Sequence, residues 1–264
     1  MGILNITPDS FAEPSSRAAA GDAIARGLQM EADGADILDI GGESTRPGST
    51  PVDANEELAR VVPVLEELGR TLRVPISIDT YKPEVARTAL SLGASIVNDV
   101  TGLQAGPALA AVAANAGAAL VLMHMRGRPA TMYAEAEYGD VAADVVNELR
   151  ASMAAAEAGG LSKDAIVLDP GIGFAKRAAH SYGVLARIAE IAAETERPLL
   201  VGPSRKSFMR EALGDVPPPE RDWGTAAAVT AAVLSGAHIV RVHAVGPMRQ
   251  VVRVAEEIRR AHSA

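Results

Sequence analysis

The chain has 264 residues and a formal charge of −8, from 25 basic and 33 acidic side chains, which argues against nucleic acid as the main partner because a phosphate backbone needs a basic face. Hydrophobic residues make up 48%, enough for a sizeable core, yet no apolar run is long enough to span a bilayer, and 3% aromatic residues are too few for a single-strand stacking platform. Cysteine is absent, which excludes disulfides, thiolate catalysis and cysteine-based metal sites; the opening residues do not read as a secretory signal, so a cytoplasmic setting is expected.

Short β-rich runs alternate with longer segments of helical period. A strand over 2–6 contains Asn5 and leads, through an irregular piece at 11–16, to a helix over 17–33. A strand over 36–40 runs into Gly41-Gly42-Glu43-Ser44-Thr45-Arg46-Pro47-Gly48, and a helix over 53–72 follows. The third strand, 76–79, ends in Asp79 before a helix over 83–92; the fourth, 96–98, ends in Asn98-Asp99 before a helix over 107–116. The fifth, 119–123, ends in Met123-His124, followed by an irregular stretch to 138 and a helix over 141–159. The sixth, 166–169, ends in Asp169-Pro170-Gly171 before a helix over 182–196. The seventh, 199–202, leads to Ser204-Arg205-Lys206-Ser207, an irregular stretch at 213–221 and a helix over 220–235. The eighth, 239–242, carries Arg241, leads to His243 and precedes a helix over 247–261.

Strand then helix, eight times over, predicts an α/β fold: a single (β/α)8 TIM barrel with a parallel eight-stranded core, one domain covering 1–264. The rival is an open doubly wound sheet, but the first βα turn, Asn5-Ile6-Thr7-Pro8-Asp9-Ser10, is not a glycine-rich dinucleotide loop. In a closed barrel the eight strand ends converge on the rim where such folds keep their active sites. A lone Asp after a strand is most often a helix cap, and that reading is preferred for Asp99. Asn5, Asp79, Asn98 and Asp169 end apolar runs, where an unpaired polar group is costly, so a bound ligand is the economical partner. Asp79, Asn98, Asp169 and Lys206 suit a flat heterocycle with clustered donors and acceptors. Arg241 and His243 share one face of their strand and, with Asn5 across the seam, make a second, anionic pocket that suits a diphosphate. The histidine spacing is poor for zinc. His180 is left open between ligand and solvent, and His238 and His262 read as bystanders.

These segments resemble the dihydropteroate synthase family over nearly the whole chain. The matching motifs are Gly2-Ile3-Leu4-Asn5-Ile6-Thr7-Pro8-Asp9-Ser10-Phe11, Asp39-Ile40-Gly41-Gly42-Glu43-Ser44-Thr45-Arg46-Pro47-Gly48, Asp169-Pro170-Gly171-Ile172-Gly173-Phe174 and Gly202-Pro203-Ser204-Arg205-Lys206-Ser207. The resemblance implies condensation of a pterin methyl diphosphate with 4-aminobenzoate. It implies that Asp79, Asn98, Asp169 and Lys206 hold the pterin, with Met123 lining its pocket. Arg241 and His243 would take the diphosphate with Asn5, which would meet a Mg²⁺ ion. Thr45, Arg46, Pro47, Phe174, Ser204 and Lys206 would border the aminobenzoate, and Asp79, Lys206, Arg241 and His243 would be the catalytic groups. A homodimer is expected, with small-molecule substrates and neither nucleic acid nor membrane as partner. Two segments depart from the family's pattern. Ala12-Glu13-Pro14-Ser15-Ser16 replaces a common Ser-Asp-Gly-Gly, and Ala175-Lys176-Arg177-Ala178 stands where Gly-Lys-Thr is commoner. The rival functions are a pterin-binding paralogue without turnover and a pterin-dependent methyltransferase; a sulfonamide-insensitive synthase is a variant of the first reading.

Overall fold

The computed structural model describes residues 1–7, 17–44, 49–127 and 132–263. Asp9 and the altered first loop, together with Thr45, Arg46 and Pro47, lie outside the described residues. Eight strands alternate with helices: β1 Gly2–Asn5, β2 Leu38–Gly41, β3 Ile76–Asp79, β4 Ala94–Asp99, β5 Ala119–Met123, β6 Ile166–Asp169, β7 Leu200–Val201 and β8 Ile239–Val240. The helices are α1 Arg17–Ala32, α2 Ala54–Thr71, α3 Pro83–Ser91, α4 Ala108–Ala116, α5 Val141–Ala158, α6 Ala178–Ala186, α7 Ile188–Thr195, α8 Arg210–Leu213, α9 Asp222–Leu234 and α10 Val245–Ser263.

The first six strands form one parallel sheet in chain order, and β7 pairs with β8 in a second. Single bridges complete the ring. Leu168 meets Leu199 between the sixth and seventh positions, and Gly2 meets Val242 between the eighth and the first. Ile3 N–H donates to Val242 O at 3.0 Å, and Val242 N–H to Met1 O at 3.0 Å. The open-sheet rival is thereby excluded, because a doubly wound sheet has two free edges and this ring has none.

Strand pleating divides each run into two faces. Leu4, Leu38, Ile40, Ile76, Ile78, Val97, Leu120, Leu122, Ile166 and Leu168 join the helices in the main core. The other face fills the barrel interior, with Met1, Val121 and Leu200 packed against Ile37, Ile96, Val167 and Ile239. The register sets Asn5 beside Gly41, Gly41 beside Asp79, and Asp79 beside Asn98, so one layer of the upper rim is polar. One pleat below, Ile3, Asp39, Ser77 and Ile96 are abreast.

Helix signals are local. Asp53 caps α2 by accepting from Glu56 N–H at 2.8 Å, and Asp140 caps α5 through Ala142 and Ala143 N–H. Val61, Val64, Leu65 and Leu68 give α2 its buried stripe. The expected helix over 182–196 is instead two helices that share Arg187, whose φ is −115°. Both halves bury apolar residues, which hid the break, and the Arg187 side chain is drawn to Glu190 and Asp140. The expected irregular stretch at 213–221 contains a short 3-10 turn, Pro218–Arg221.

Candidate active site at the barrel mouth

Arg241 ties the polar layers together. Its Nε donates to Asp39 Oδ2 at 2.6 Å and its Nη2 to Asp79 Oδ2 at 2.7 Å, while Asn98 Nδ2 donates to the same Asp39 oxygen at 3.0 Å. Asp39 is fully buried and its Oδ1 has no hydrogen-bond partner among the described residues. Gly41 is small for a reason: a Cβ there would lie 3.3 Å from Asp79 Cβ. Burial pushes the Asp79 carboxyl up to about 7, against the pull of Arg241.

Lys206 reaches the mouth from the loop after β7. Arg205 before it adopts φ +59° and is anchored to α9 by two bonds to Asp222, 2.7 and 2.8 Å, and by its own N–H to Thr225 Oγ1 at 3.0 Å. That anchor holds a backbone shape unfavourable to a side chain and delivers Lys206 inward. The Lys206 ammonium donates to Ile172 O at 2.8 Å and lies 3.7 Å from the centre of the Phe174 ring. Burial lowers its pKa to about 7, with the negative charge of Asp169 opposing. Asp169 accepts from Gly171 N–H at 2.7 Å, and burial raises its pKa. Ser204 Oγ meets His243 Nδ1 at 2.9 Å and accepts from His243 N–H at 3.2 Å. Met123 is buried in a small cluster with Val100, Met125, Met132 and Ala175, against which Tyr81 and Phe174 pack.

The structure therefore brings Asp79, Asn98, Asp169, Lys206, Arg241, Ser204 and His243 to one rim, with Phe174 and Met123 beside them and Asn5 in the adjoining register. Asp99 is structural but caps no helix, since α4 starts at Ala108 behind Pro107; it closes the turn after β4 by accepting from Thr101 N–H at 2.8 Å and Leu103 N–H at 2.7 Å. His180 stands edge-on to Tyr138 with centroids 4.9 Å apart, and His238 accepts from Leu199 N–H.

Two groups escaped the sequence reading. Asp39 was quoted only as part of a motif, although a carboxylate inside a strand buried throughout is itself a signal. Lys176 was read only as a loop variation. It is 1% exposed, its Nζ lies 2.7 Å from His124 Nδ1, and it donates to Phe174 O at 3.3 Å. His124 Nε2 lies 3.0 Å from Glu148, which Arg126 Nε meets at 2.9 Å. Burial and the nearby Lys176 charge lower the His124 pKa to about 4, so its ring is neutral at pH 7. Burial works to raise the pKa of Glu148, but the bonds from His124 and Arg126 hold it down at about 2. Nothing in the sequence marks this chain of contacts, because it joins three separate elements.

A protein-family model described as "pterin binding enzyme" matches residues 1–243. The dihydropteroate synthase of Escherichia coli strain K12 is 45% identical over 97% of this chain and 90% of its own length. A solved structure of the Yersinia pestis dihydropteroate synthase with a sulfonamide drug complex superposes with a TM-score of 0.92 at 40% identity, covering 98% of this chain and 93% of the other. The Xanthomonas albilineans enzyme with 4-aminobenzoic acid gives a TM-score of 0.90 at 40% identity, covering 98% and 92%.

Proposed function

Because the chain belongs to the dihydropteroate synthase family of pterin-binding enzymes, we propose that this barrel, acting as one domain, joins 6-hydroxymethyl-7,8-dihydropterin diphosphate to 4-aminobenzoate. The products are 7,8-dihydropteroate, diphosphate and a proton. The observation that carries the reading is the meeting of Asp79, Asn98, Asp169 and Lys206 beside Arg241 at one mouth. Carboxylates can accept paired hydrogen bonds from the amidine-like edge of a pterin, and Lys206 and Asn98 offer donors.

The aryl amine is a weak nucleophile, so the C–O bond to diphosphate breaks early and positive charge grows on the pterin methylene. Asp79 and Asp169 favour that charge, while Arg241 and His243 stabilise the negative charge that grows on the departing diphosphate as it takes the electron pair of the broken bond. The amine nitrogen then forms the new C–N bond and releases its proton. Ser204 holds His243, and Phe174 with Lys206 borders the aminobenzoate side. Thr45, Arg46 and Pro47 complete that side in this reading. Met123 supplies an apolar wall to the pterin.

Mg²⁺ suits this donor set. Magnesium keeps several waters and leans on substrate phosphates, so one amide oxygen from Asn5 at the rim is sufficient protein support. When bound, it compensates charge on the leaving group. No helix among the described residues is long and apolar enough to cross a membrane. A cytoplasmic setting is part of the proposal, and a cysteine-free chain is compatible with it. So is a homodimer, supported by exposed Trp223 and Leu234 on α9 and Val254 and Ile258 on α10.

The test is diphosphate release with Mg²⁺, with and without 4-aminobenzoate. Release should require both substrates and stop on chelation of the ion. Release that ignores aminobenzoate would sink the synthase reading, and pterin binding without release would favour the inactive paralogue. A sulfonamide titration in the same assay then measures drug response. The named relatives are synthases, which favours this reaction over the methyltransferase.

A further inference from the structure

The loop after β6 has an unusual backbone, with positive φ at Gly171 (70°), Gly173 (78°) and Ala175 (47°). The carbonyls between these residues are each held by a lysine from a different direction: Ile172 O by Lys206 and Phe174 O by Lys176. The carbonyl of Ala175 accepts from Tyr138 Oη at 2.9 Å. Gly171 and Gly173 take positive φ at little cost, but Ala175 does not, so that end of the ribbon keeps its shape only if its surroundings fix it. Lys206 is accounted for by the site. Lys176 is not, and a buried ammonium with no task would be replaced cheaply by an apolar chain of its size.

We propose that Lys176 is a positioning residue for the aminobenzoate side of the pocket. Held by His124, it grips the Phe174 carbonyl and thereby sets the Phe174 ring against the Lys206 ammonium. His124 is fixed in turn by Glu148 on α5 and by its own N–H to Asp169 O at 2.8 Å, so the grip is referred to the strand that carries the pterin carboxylate. The lowered pKa of His124 fits this arrangement, since a neutral ring with its proton on Nε2 donates to Glu148 and accepts from Lys176 on Nδ1. Removing the grip frees the Phe174 peptide to rotate, while Asp79, Asn98 and Asp169 keep their own hydrogen bonds and Asp169 loses only the attraction of the Lys176 charge, which is weaker than that of Lys206. The consequence is selective: the aminobenzoate side loosens and the pterin side does not.

The inference rests on the synthase reading above, so the parent protein is assayed first. A parent that releases no diphosphate in response to aminobenzoate refutes that reading, and the inference with it. With an active parent, Lys176→Met keeps the bulk and removes the donor. The expected result is a KM for 4-aminobenzoate raised about tenfold, a KM for the pterin diphosphate within about twofold, and unchanged affinity for a plain pterin. A purely structural role would lower the melting temperature and the active fraction without separating the two KM values. Tyr138→Phe removes only the bond to Ala175 O and should give the same split at about threefold. It decides the matter if Lys176→Met does not fold. Equal KM changes for both substrates, or none, in whichever variants fold would overturn the proposal.

Discussion

Arg241 serves two carboxylates of different standing. Asp79 sits at the rim and is available to a ligand, whereas Asp39 lies one pleat lower and has no exposure to solvent. The lower carboxylate is best understood as the fixed end of the arrangement: it takes Arg241 Nε and Asn98 Nδ2 on one oxygen and so orients both groups toward the mouth. Two residues assigned to substrate therefore depend on a third that never meets it. Asp39→Asn keeps the size and halves the attraction on Arg241. It should leave the protein folded, because Arg241 retains Asp79, but should lower kcat/KM for the pterin diphosphate by at least about tenfold, roughly 1.4 kcal/mol of lost transition-state binding. Steady-state kinetics beside a thermal melt checks this. Wild-type kinetics in the variant would show that Asp39 is merely tolerated in the interior.

Between neighbouring elements the same logic appears in the stem of the second loop. Lys82, at the start of α3, pairs with Glu43 after β2 and with Glu57 on α2, and Tyr81 Oη donates to Glu43 at 3.0 Å. Arg60 on α2 donates to Gly42 O at 2.7 Å. Burial raises the pKa of Glu57, whose Oε1 has no hydrogen-bond partner among the described residues. Lys82→Met removes the only cation that meets both acids among the described residues and should cost about 3–5 kcal/mol in denaturant unfolding. Adding Glu57→Gln should recover part of that loss, and independent, additive effects of the two changes would refute the coupling. Such clamps explain what could be read in advance. The eight strands and the polar rim were legible because pleating and strand ends are properties of short contiguous runs, and Asp79, Asn98, Asp169 and Arg241 each sit at one. Lys82–Glu43–Glu57 and Lys176–His124–Glu148 were not legible, since each joins residues from three elements whose approach is fixed only after the barrel closes. The break at Arg187 was hidden for the opposite reason: an unbroken apolar period ran straight across it.

For the molecule as a whole, the charged groups gathered in the mouth set how stability responds to pH. Lys176 and Lys206 are both lowered by burial from 10.5 to about 7. Between those limits the unfolded chain binds protons that the folded chain does not, so each group contributes stability that is present above pH 10.5 and lost as pH falls through 7. Below pH 7 two effects oppose each other. Asp79, raised from 3.8 to about 7, contributes stability that is fully present below its unfolded pKa and lost as pH rises through 7. His124, lowered from 6.5 to about 4, contributes stability lost as pH falls through 4. Asp169, Asp99 and Glu57, raised by burial, act in the sense of Asp79, and Glu148 acts in the sense of His124, so the acid side carries opposing contributions while the alkaline side should rise. Burial also raises the Tyr138 pKa, which would reverse the trend above pH 10, so the useful window ends below that. In urea, the ligand-free protein should be more stable at pH 9.5 than at pH 7.5 by roughly 2 kcal/mol, and Lys206→Met should remove about half of the difference. A flat or falling curve across that interval would show that both lysines remain charged without cost. On the proposed reading an anionic pterin diphosphate would favour the charged form of Lys206, so saturating substrate analogue should raise stability most near neutral pH and flatten the alkaline rise. That dependence would identify the burial of lysine charge that the neighbouring carboxylates offset only in part as the main stability cost of this site.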